Sequence, residues 1–125
     1  MDDEAESEQV PLFDRTHLGR YTGGDHGLEV ELVGLMCEQA ERCIDRMAEA
    51  SGAKEFQDAA HTLKGAARGV GAFALATACE RAEEAPQAER ADAEAEIATR
   101  YAETRTAFAD AGVLPSKPYG QPHTP

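Results

Sequence analysis

The sequence predicts an all-α fold, an antiparallel up-down four-helix bundle with a short capping helix on its N-terminal side. Aromatic residues make up only 6 % of the 125 residues and alanine dominates the apolar fraction, which suits close-packed helices better than a sheet. Apolar residues also recur at helical spacing in four long segments with short connections between them. Amphipathic helices joined in this way pack as antiparallel neighbours.

The N-terminal region is predicted to contribute the capping helix. Residues 1–11 are acidic and are expected to be disordered. The stretch PLFDRTHLGRY then forms a short helix with Leu12, Phe13 and Leu18 on its apolar side. The following TGGD breaks the chain, and Asp25 is the expected N-cap of the next helix.

The first long helix is predicted over residues 27–50, and Gly52 is the expected break that ends it. Its apolar face carries Leu32, Val33, Met36, Cys37, Ala40, Cys43, Ile44 and Met47. Its opposite face carries Glu31, Glu38, Glu41 and Asp45. A helix with this separation buries its apolar face and leaves its charged face in water.

Three further helices are predicted over residues 54–68, 72–84 and 87–111. The stretch RGVG closes the first of them, and Pro86 separates the last two. Their core stripes are Phe56, Ala59, Ala60, Leu63, Ala67 and Val70; Leu75, Cys79 and Ala82; and Ile97, Tyr101, Thr104 and Phe108.

These helices define one domain, residues 12–112, followed by a flexible tail, residues 113–125. The tail ends in PSKPYGQPHTP, with four prolines in eleven residues, so it cannot continue a helix. The chain has no apolar run of about 18 residues that would span a membrane. Its acidic start is also wrong for a signal or transit peptide. We therefore expect a cytoplasmic monomer.

Charge and cysteine content exclude several classes of function. The net charge of −12 makes nucleic acid and anionic membranes poor partners, since both would be repelled at long range. The three cysteines, Cys37, Cys43 and Cys79, are odd in number and lack a C-x-x-C spacing, which argues against a disulfide framework or a zinc cluster. They are predicted to be small buried apolar residues, with a redox or metal role as the alternative.

The stretch AAHTLKGAARGVGA, residues 59–72, carries the most informative constellation. His61 lies roughly 160° from the apolar stripe of its helix and points outward. Four further residues share this outward sector, at positions −4, +3, +4 and +7 from His61, the spacings of helix-surface neighbours. They are Gln57, Lys64, Gly65 and Arg68.

This constellation suits a histidine that accepts an anionic group. An exposed glycine inside a helix costs about 1 kcal/mol relative to alanine, yet Gly65 leaves a notch beside His61 that another backbone could approach. Neutral imidazole attacks phosphorus well, and the phosphoryl group that it gains brings about two negative charges, which Lys64 and Arg68 would stabilise. The plain alternative is a surface histidine among ordinary surface cations, with Gly65 as a packing contact.

The same stretch resembles a known family. AHTLKGAARGVGA is similar to the H-x-L-K-G signature, with a later V-G, of histidine-containing phosphotransfer (HPt) domains. LFDRTHLGRYTGGDHGLEVELVGLM resembles the opening of that family. LATACERAEEA resembles the helix after the histidine, with its step from Cys79 to Glu83. The resemblance covers about residues 12–110.

The resemblance implies a four-helix bundle whose histidine is phosphorylated reversibly on a ring nitrogen. The phosphoryl group passes between receiver-domain aspartates of a hybrid histidine kinase and a response regulator. His61 matches the phosphoacceptor, Lys64 the assisting basic residue, Gly65 the small residue that lets the receiver close in, and Gly71 a later glycine near the turn. The chain is expected to need no cofactor of its own, with Mg²⁺ held by the partner receiver.

Two positions depart from the family pattern. Gly69 stands where many members have a polar residue such as asparagine, and Arg68 stands where small or polar residues are common. Both bear on phosphate contacts and partner choice. Gln57, Gly65 and Gly69 are the predicted docking positions.

Two other functions compete with a phosphorelay carrier. The chain could be a helical adaptor that docks receiver or kinase domains without carrying phosphate. A metal-binding bundle would need inward E-x-x-H pairs on facing helices, which the sequence lacks. The chain also lacks a nucleotide-binding glycine loop, so it is predicted to relay phosphate and not to act as a kinase. The remaining histidines, His17, His26 and His123, are interpreted as ordinary residues.

Overall fold

The computed structural model of the protein describes residues 10–116. Within this range the helices are α1 (Arg15–Thr22), α2 (His26–Glu49), α3 (Ala53–Val70), α4 (Phe73–Glu84) and α5 (Arg90–Asp110), with a 3₁₀ turn at Gln87–Glu89. The described residues contain no strand, so the all-α prediction is confirmed. The predictions for residues 1–9 and 117–125 lie outside the described residues.

The helices pack around one apolar core. Helix α2 packs on α3, α3 on α4, α4 on α5, and α5 returns to α2, while α1 lies against α2 and α3. Every core residue predicted for α3, α4 and α5 is buried. On α2 the prediction is correct except that Leu32 and Ile44 are only partly buried at the edge of the core. Periodicity therefore identified the buried faces of the four long helices.

The ends of α2 show one correct and one wrong prediction. Asp25 is the N-cap, because its carboxylate accepts a hydrogen bond of 3.0 Å from the N–H of Leu28. Gly52 does not end α2. The helix stops at Glu49 with Ala50 as its C-cap, and Gly52 is extended, with φ −153°, as the N-cap of α3. The side chain of Glu55 accepts hydrogen bonds from the N–H and the hydroxyl of Ser51, which ties this segment to the start of α3.

Gly71 fixes the turn between α3 and α4. It has φ +87°, a left-handed conformation that side chains disfavour. A Cβ at this position would also lie 2.5 Å from the carbonyl oxygen of Asp14. The N–H of Asp14 donates to the carbonyl of Gly71 at 2.9 Å. The turn and the start of α1 are thus held together at a point where no side chain fits.

The packed part of the chain extends beyond residues 12–112 at both ends. The carbonyl of Pro11 accepts a hydrogen bond of 2.9 Å from the N–H of Ala74 in α4. At the other end Val113 is fully buried and Leu114 packs against the core, although both fall in the predicted tail. The first difference is a backbone hydrogen bond to α4, and the second arises because apolar side chains next to a helix bundle gain by covering its core.

The three cysteines are buried, as predicted. Burial raises the pKa of the Cys79 thiol to about 12 and also raises that of Cys43. A thiol with a raised pKa carries little thiolate, which is the reactive form. Among residues 10–116, no helix combines the length and the apolar character needed to cross a membrane.

Candidate functional site

The outer surface of α3 presents the predicted constellation. The side chain of His61 is 71 % exposed, so its predicted outward placement is confirmed. Gln57, Gly65 and Gly69 are exposed on the same helix. The opposite face of α3 packs into the core, so this outer surface is available to another molecule.

His61 is held by a glutamate from the neighbouring helix. The Nδ1 atom of His61 lies 2.6 Å from Oε2 of Glu83 on α4. The Nζ atom of Lys64 donates to the other carboxylate oxygen, Oε1, also at 2.6 Å. Lys64 is only 15 % exposed and Glu83 only 18 %, so Lys64 does not point fully outward as predicted. One carboxylate therefore bridges the histidine and the lysine.

This bridge determines which nitrogen of His61 can react. Partial burial raises the pKa of Glu83, but hydrogen bonds from Lys64 and His61 outweigh it and hold that pKa below its usual value. The carboxylate is therefore ionised near neutral pH and can only accept hydrogen bonds. The ring proton of a neutral imidazole then sits on Nδ1, which leaves the lone pair on Nε2 for reaction.

Arg68 contacts a different glutamate from the one that holds His61 and Lys64. Its Nη2 atom lies 3.5 Å from Oε1 of Glu80 on α4, and both side chains are about half exposed. A contact of this length between exposed groups contributes little to stability. The sequence grouped Arg68 with Lys64 around the histidine, whereas the structure gives the two cations different glutamates.

An apolar groove lies on the other side of His61. It is lined by Leu32, Leu35, Met36, Gln39, Thr62, Ala66 and Val70, from α2 and α3. Leu35 is 55 % exposed, and only Tyr21 and Leu28 are other exposed large apolar residues within residues 10–116. Thr62 and Ala66 directly follow His61 and Gly65 in sequence, so the groove adjoins the histidine.

Gly65 has no packing role within the described chain. A Cβ at Gly65 would meet no atom within 4 Å, and the same holds for Gly69. The interpretation of Gly65 as a packing contact is therefore wrong. The open space above Gly65 agrees with a shallow notch in the surface beside His61.

Sequence reasoning assigned no role to Glu80, Glu83 or Leu35. Glu83 stands four residues after the buried Cys79, at the edge of the α4 core stripe, where a carboxylate can reach a neighbouring helix. Leu35 is a large apolar residue that lies off the predicted stripe of α2, and that misfit was the available signal.

Among residues 10–116, no group of three or more His, Cys, Asp or Glu side chains is placed to hold a metal ion. An exposed imidazole, oriented through one nitrogen by an ionised carboxylate, is the arrangement of a histidine nucleophile on a helical scaffold.

Comparison with protein families identifies the family of this chain. Residues 31–110 match the Hpt domain, and the match covers more than half of the chain. The chain belongs to the Hpt domain family, whose members are histidine phosphotransfer carriers, and not kinases, in two-component phosphorelays and interact with receiver domains. No curated protein and no solved structure matches the chain significantly.

Proposed function

We propose that this chain relays a phosphoryl group between receiver aspartates of a hybrid histidine kinase and a response regulator, with His61 as the phosphoacceptor. The observation that carries the proposal is the 2.6 Å contact between Nδ1 of His61 and Glu83, on an imidazole that is otherwise exposed. This contact leaves Nε2 as the nucleophile and directs it to solvent-accessible space.

The transfer step is a displacement at phosphorus. The lone pair of Nε2 attacks the phosphorus of the receiver's phosphoaspartate, and the bond between phosphorus and the aspartate oxygen breaks. The aspartate leaves as a carboxylate with that electron pair, and a bond between Nε2 and phosphorus forms. The proton on Nδ1 stays in place, so the phosphorylated ring is cationic and is stabilised by Glu83. In the reverse step a receiver carboxylate attacks phosphorus and the electron pair returns to Nε2.

Lys64 is the cation of this site. It is one helical turn from His61 and contacts the same carboxylate, so its positive charge helps to offset the charge that the phosphoryl group adds. The partner receiver supplies Mg²⁺ and most of the remaining charge compensation for the transferring group. The chain itself contributes the oriented nucleophile and one ammonium group.

The docking surface is the outer face of α3 with its apolar groove. A stable protein interface covers about 800 Å² on each partner, equivalent to a disc of about 16 Å radius around His61. Such a footprint includes Gln57, Gly65 and Gly69, and it reaches the groove at Leu35. The open space above Gly65 lets a receiver loop approach the phosphorus closely.

The finer architecture belongs to the same proposal. We infer an antiparallel up-down order for α2, α3, α4 and α5, because short connections join consecutive helices that pack on one another. The protein acts as a cytoplasmic monomer that meets its kinase and its regulator in turn.

The test is transfer of labelled phosphate from phosphorylated receiver domains of the host's hybrid kinases. His61→Gln should carry no acid-labile phosphate while its helical circular dichroism is unchanged. His26→Gln is the matched control, because His26 is also exposed and also faces a glutamate, with Nδ1 4.0 Å from Glu29. It should label normally. Acid-labile phosphate on the His61→Gln protein contradicts the assignment, and a native chain that binds receivers without taking label is the adaptor.

A further inference from the structure

Arg68 is an exposed basic residue within the proposed docking surface. It follows His61 by seven residues, about 10 Å along α3 and on nearly the same side of the helix. Its side chain is 49 % exposed and that of Glu80 is 48 %, and their contact of 3.5 Å is at the limit of a hydrogen bond. Arg68 can therefore exchange partners, whereas Lys64 is largely buried against Glu83.

A docked receiver would cover this arginine. The footprint that a receiver needs to reach His61 extends about 16 Å from it, which includes Arg68. The guanidinium has five N–H donors, and Glu80 accepts from one nitrogen only. Covering the remaining donors without acceptors would oppose binding, because a buried charged donor loses its hydrogen bonds to water. The receiver must therefore supply an acceptor at this point.

A carboxylate is the acceptor that fits best. It can receive two parallel N–H bonds from a guanidinium, which fixes orientation as well as position. The chain has a net charge of −12 and repels acidic surfaces at long range, so an acidic group can bind favourably only where a local cation faces it. Glu80 lies on the α4 side of Arg68, and the other donors of the guanidinium are open to an acceptor from the receiver.

Building on the proposed function, we propose that Arg68 is a specificity-determining docking residue that pairs with an acidic side chain of the receiver, about 10 Å along α3 from the phosphorus. Receivers with a basic or apolar residue at that point leave Arg68 without acceptors and are discriminated against. Arg68 then acts on docking, and the phosphoryl group is left to His61 and Lys64.

The experiment uses three variants, Arg68→Gln, Glu80→Gln, and the charge swap Arg68→Glu with Glu80→Arg. Each chain is phosphorylated with phosphoramidate, and the transfer rate is then measured on the phosphorylated protein against a range of receiver concentrations with Mg²⁺. The probe is the host receiver domain that takes phosphate fastest from the native chain. If the native chain takes no phosphate, the proposed function is refuted, and the proposal for Arg68 fails with it.

Arg68→Gln should lower kcat/KM by about 10- to 100-fold, mainly through KM, and Glu80→Gln should have a much smaller effect. The swap restores the pair within the chain but reverses the charge offered to the receiver, so it should stay as slow as Arg68→Gln. One Asp→Lys or Glu→Lys variant of the receiver should then recover transfer from the swapped chain. If the swap transfers at the native rate, the pair is only structural and the proposal is overturned. A loss confined to kcat would equally overturn it, because that result places Arg68 at the phosphoryl group.

Discussion

The two flanks of α3 differ in kind. On the side of α4, Lys64 and Arg68 each contact a glutamate, and the contact between Lys64 and Glu83 is short and largely shielded from water. On the side of α2, the groove around Leu35 is apolar and exposed. Directional hydrogen bonds fix the orientation of a reactive group, whereas an apolar surface gives binding area without direction. The cluster of His61, Lys64 and Glu83 is therefore suited to chemistry, and the α2 flank to docking.

This division sets the form of the predictions. A change at Glu83 should slow transfer whatever the donor, because it alters His61 itself. A change on the α2 flank or at Gly65 should slow transfer to a receiver far more than labelling by phosphoramidate, a small donor that needs no docking surface.

The largest effect is expected for Glu83→Ala. Without the carboxylate, the ring of His61 loses the partner that holds the proton on Nδ1, and Lys64 loses its anchor. Loss of a carboxylate that orients a histidine typically costs about 10- to 100-fold in activity. Labelling rates with phosphoramidate and with a phosphorylated receiver should both fall. Loss with the receiver alone would place Glu83 on the docking surface and contradict the division.

Gly65→Gln should come next. A Cβ here would meet no neighbour within 4 Å, so the protein should fold, yet the longer side chain would stand where a receiver loop approaches His61. Misplacing reacting groups by about 1 Å can cost on the order of 100-fold in rate, and we expect up to that loss for the receiver only. Gly65→Ala should raise the free energy of unfolding by up to about 1 kcal/mol. Gly19→Gln, at another open helical glycine, is the control. Transfer at the native rate by Gly65→Gln would refute the interpretation of Gly65 as a docking notch.

Leu35→Asp should have a smaller effect on the apolar flank. The side chain is already 55 % exposed, so stability should change little. Loss of one apolar contact in an interface typically costs about 1 to 2 kcal/mol, or roughly 5- to 30-fold in KM for the receiver. Ala102→Asp, on the exposed side of α5, is the control for added charge. An equal loss in both variants would show that charge, and not the groove, matters.

The smallest effect concerns stability and pH. Because the pKa of Glu83 is lowered on folding, the ionised carboxylate stabilises the native chain above its ordinary pKa of 4.5, and this contribution is lost as the pH falls through the folded value. Native and Glu83→Gln chains should differ by about 1 kcal/mol or less at pH 7. Urea denaturation at pH 7 and pH 3 should show that difference shrinking. A constant difference would mean that the ion pair does not account for it.

The sequence predicted the buried face of each helix better than it predicted which helices lie beside one another. The stripe Ile97, Tyr101, Thr104 and Phe108 is buried as expected, because a helical period states which side of one helix is apolar. The same period does not state which helix lies beside a charged residue. Lys64 was predicted to face outward beside His61, but its side chain is only 15 % exposed, and its contact with Glu83 depends on how α4 packs, which no single-helix pattern contains.

Chain breaks were predicted in the same partial way. Gly52 was identified as a break between two helices, but its assignment to the end of α2 was wrong, since Ser51 and Glu55 make it the start of α3. Composition located the break correctly. The assignment of Gly52 to α2 or to α3 depended on side-chain hydrogen bonds to the backbone, and these become visible only in three dimensions.

The turn at Gly71 has a consequence for how such a protein can diverge. Only Gly71 and Ala72 separate α3 from α4, so both members of the His61–Glu83 pair lie on one helical hairpin. The exposed side of α2 comes from another part of the chain and shares no side chain with that pair. Substitutions on α2 can therefore accumulate and change how the protein docks on a receiver while the His61–Glu83 pair is inherited unchanged. A duplicated copy would need few mutations to serve a separate pathway.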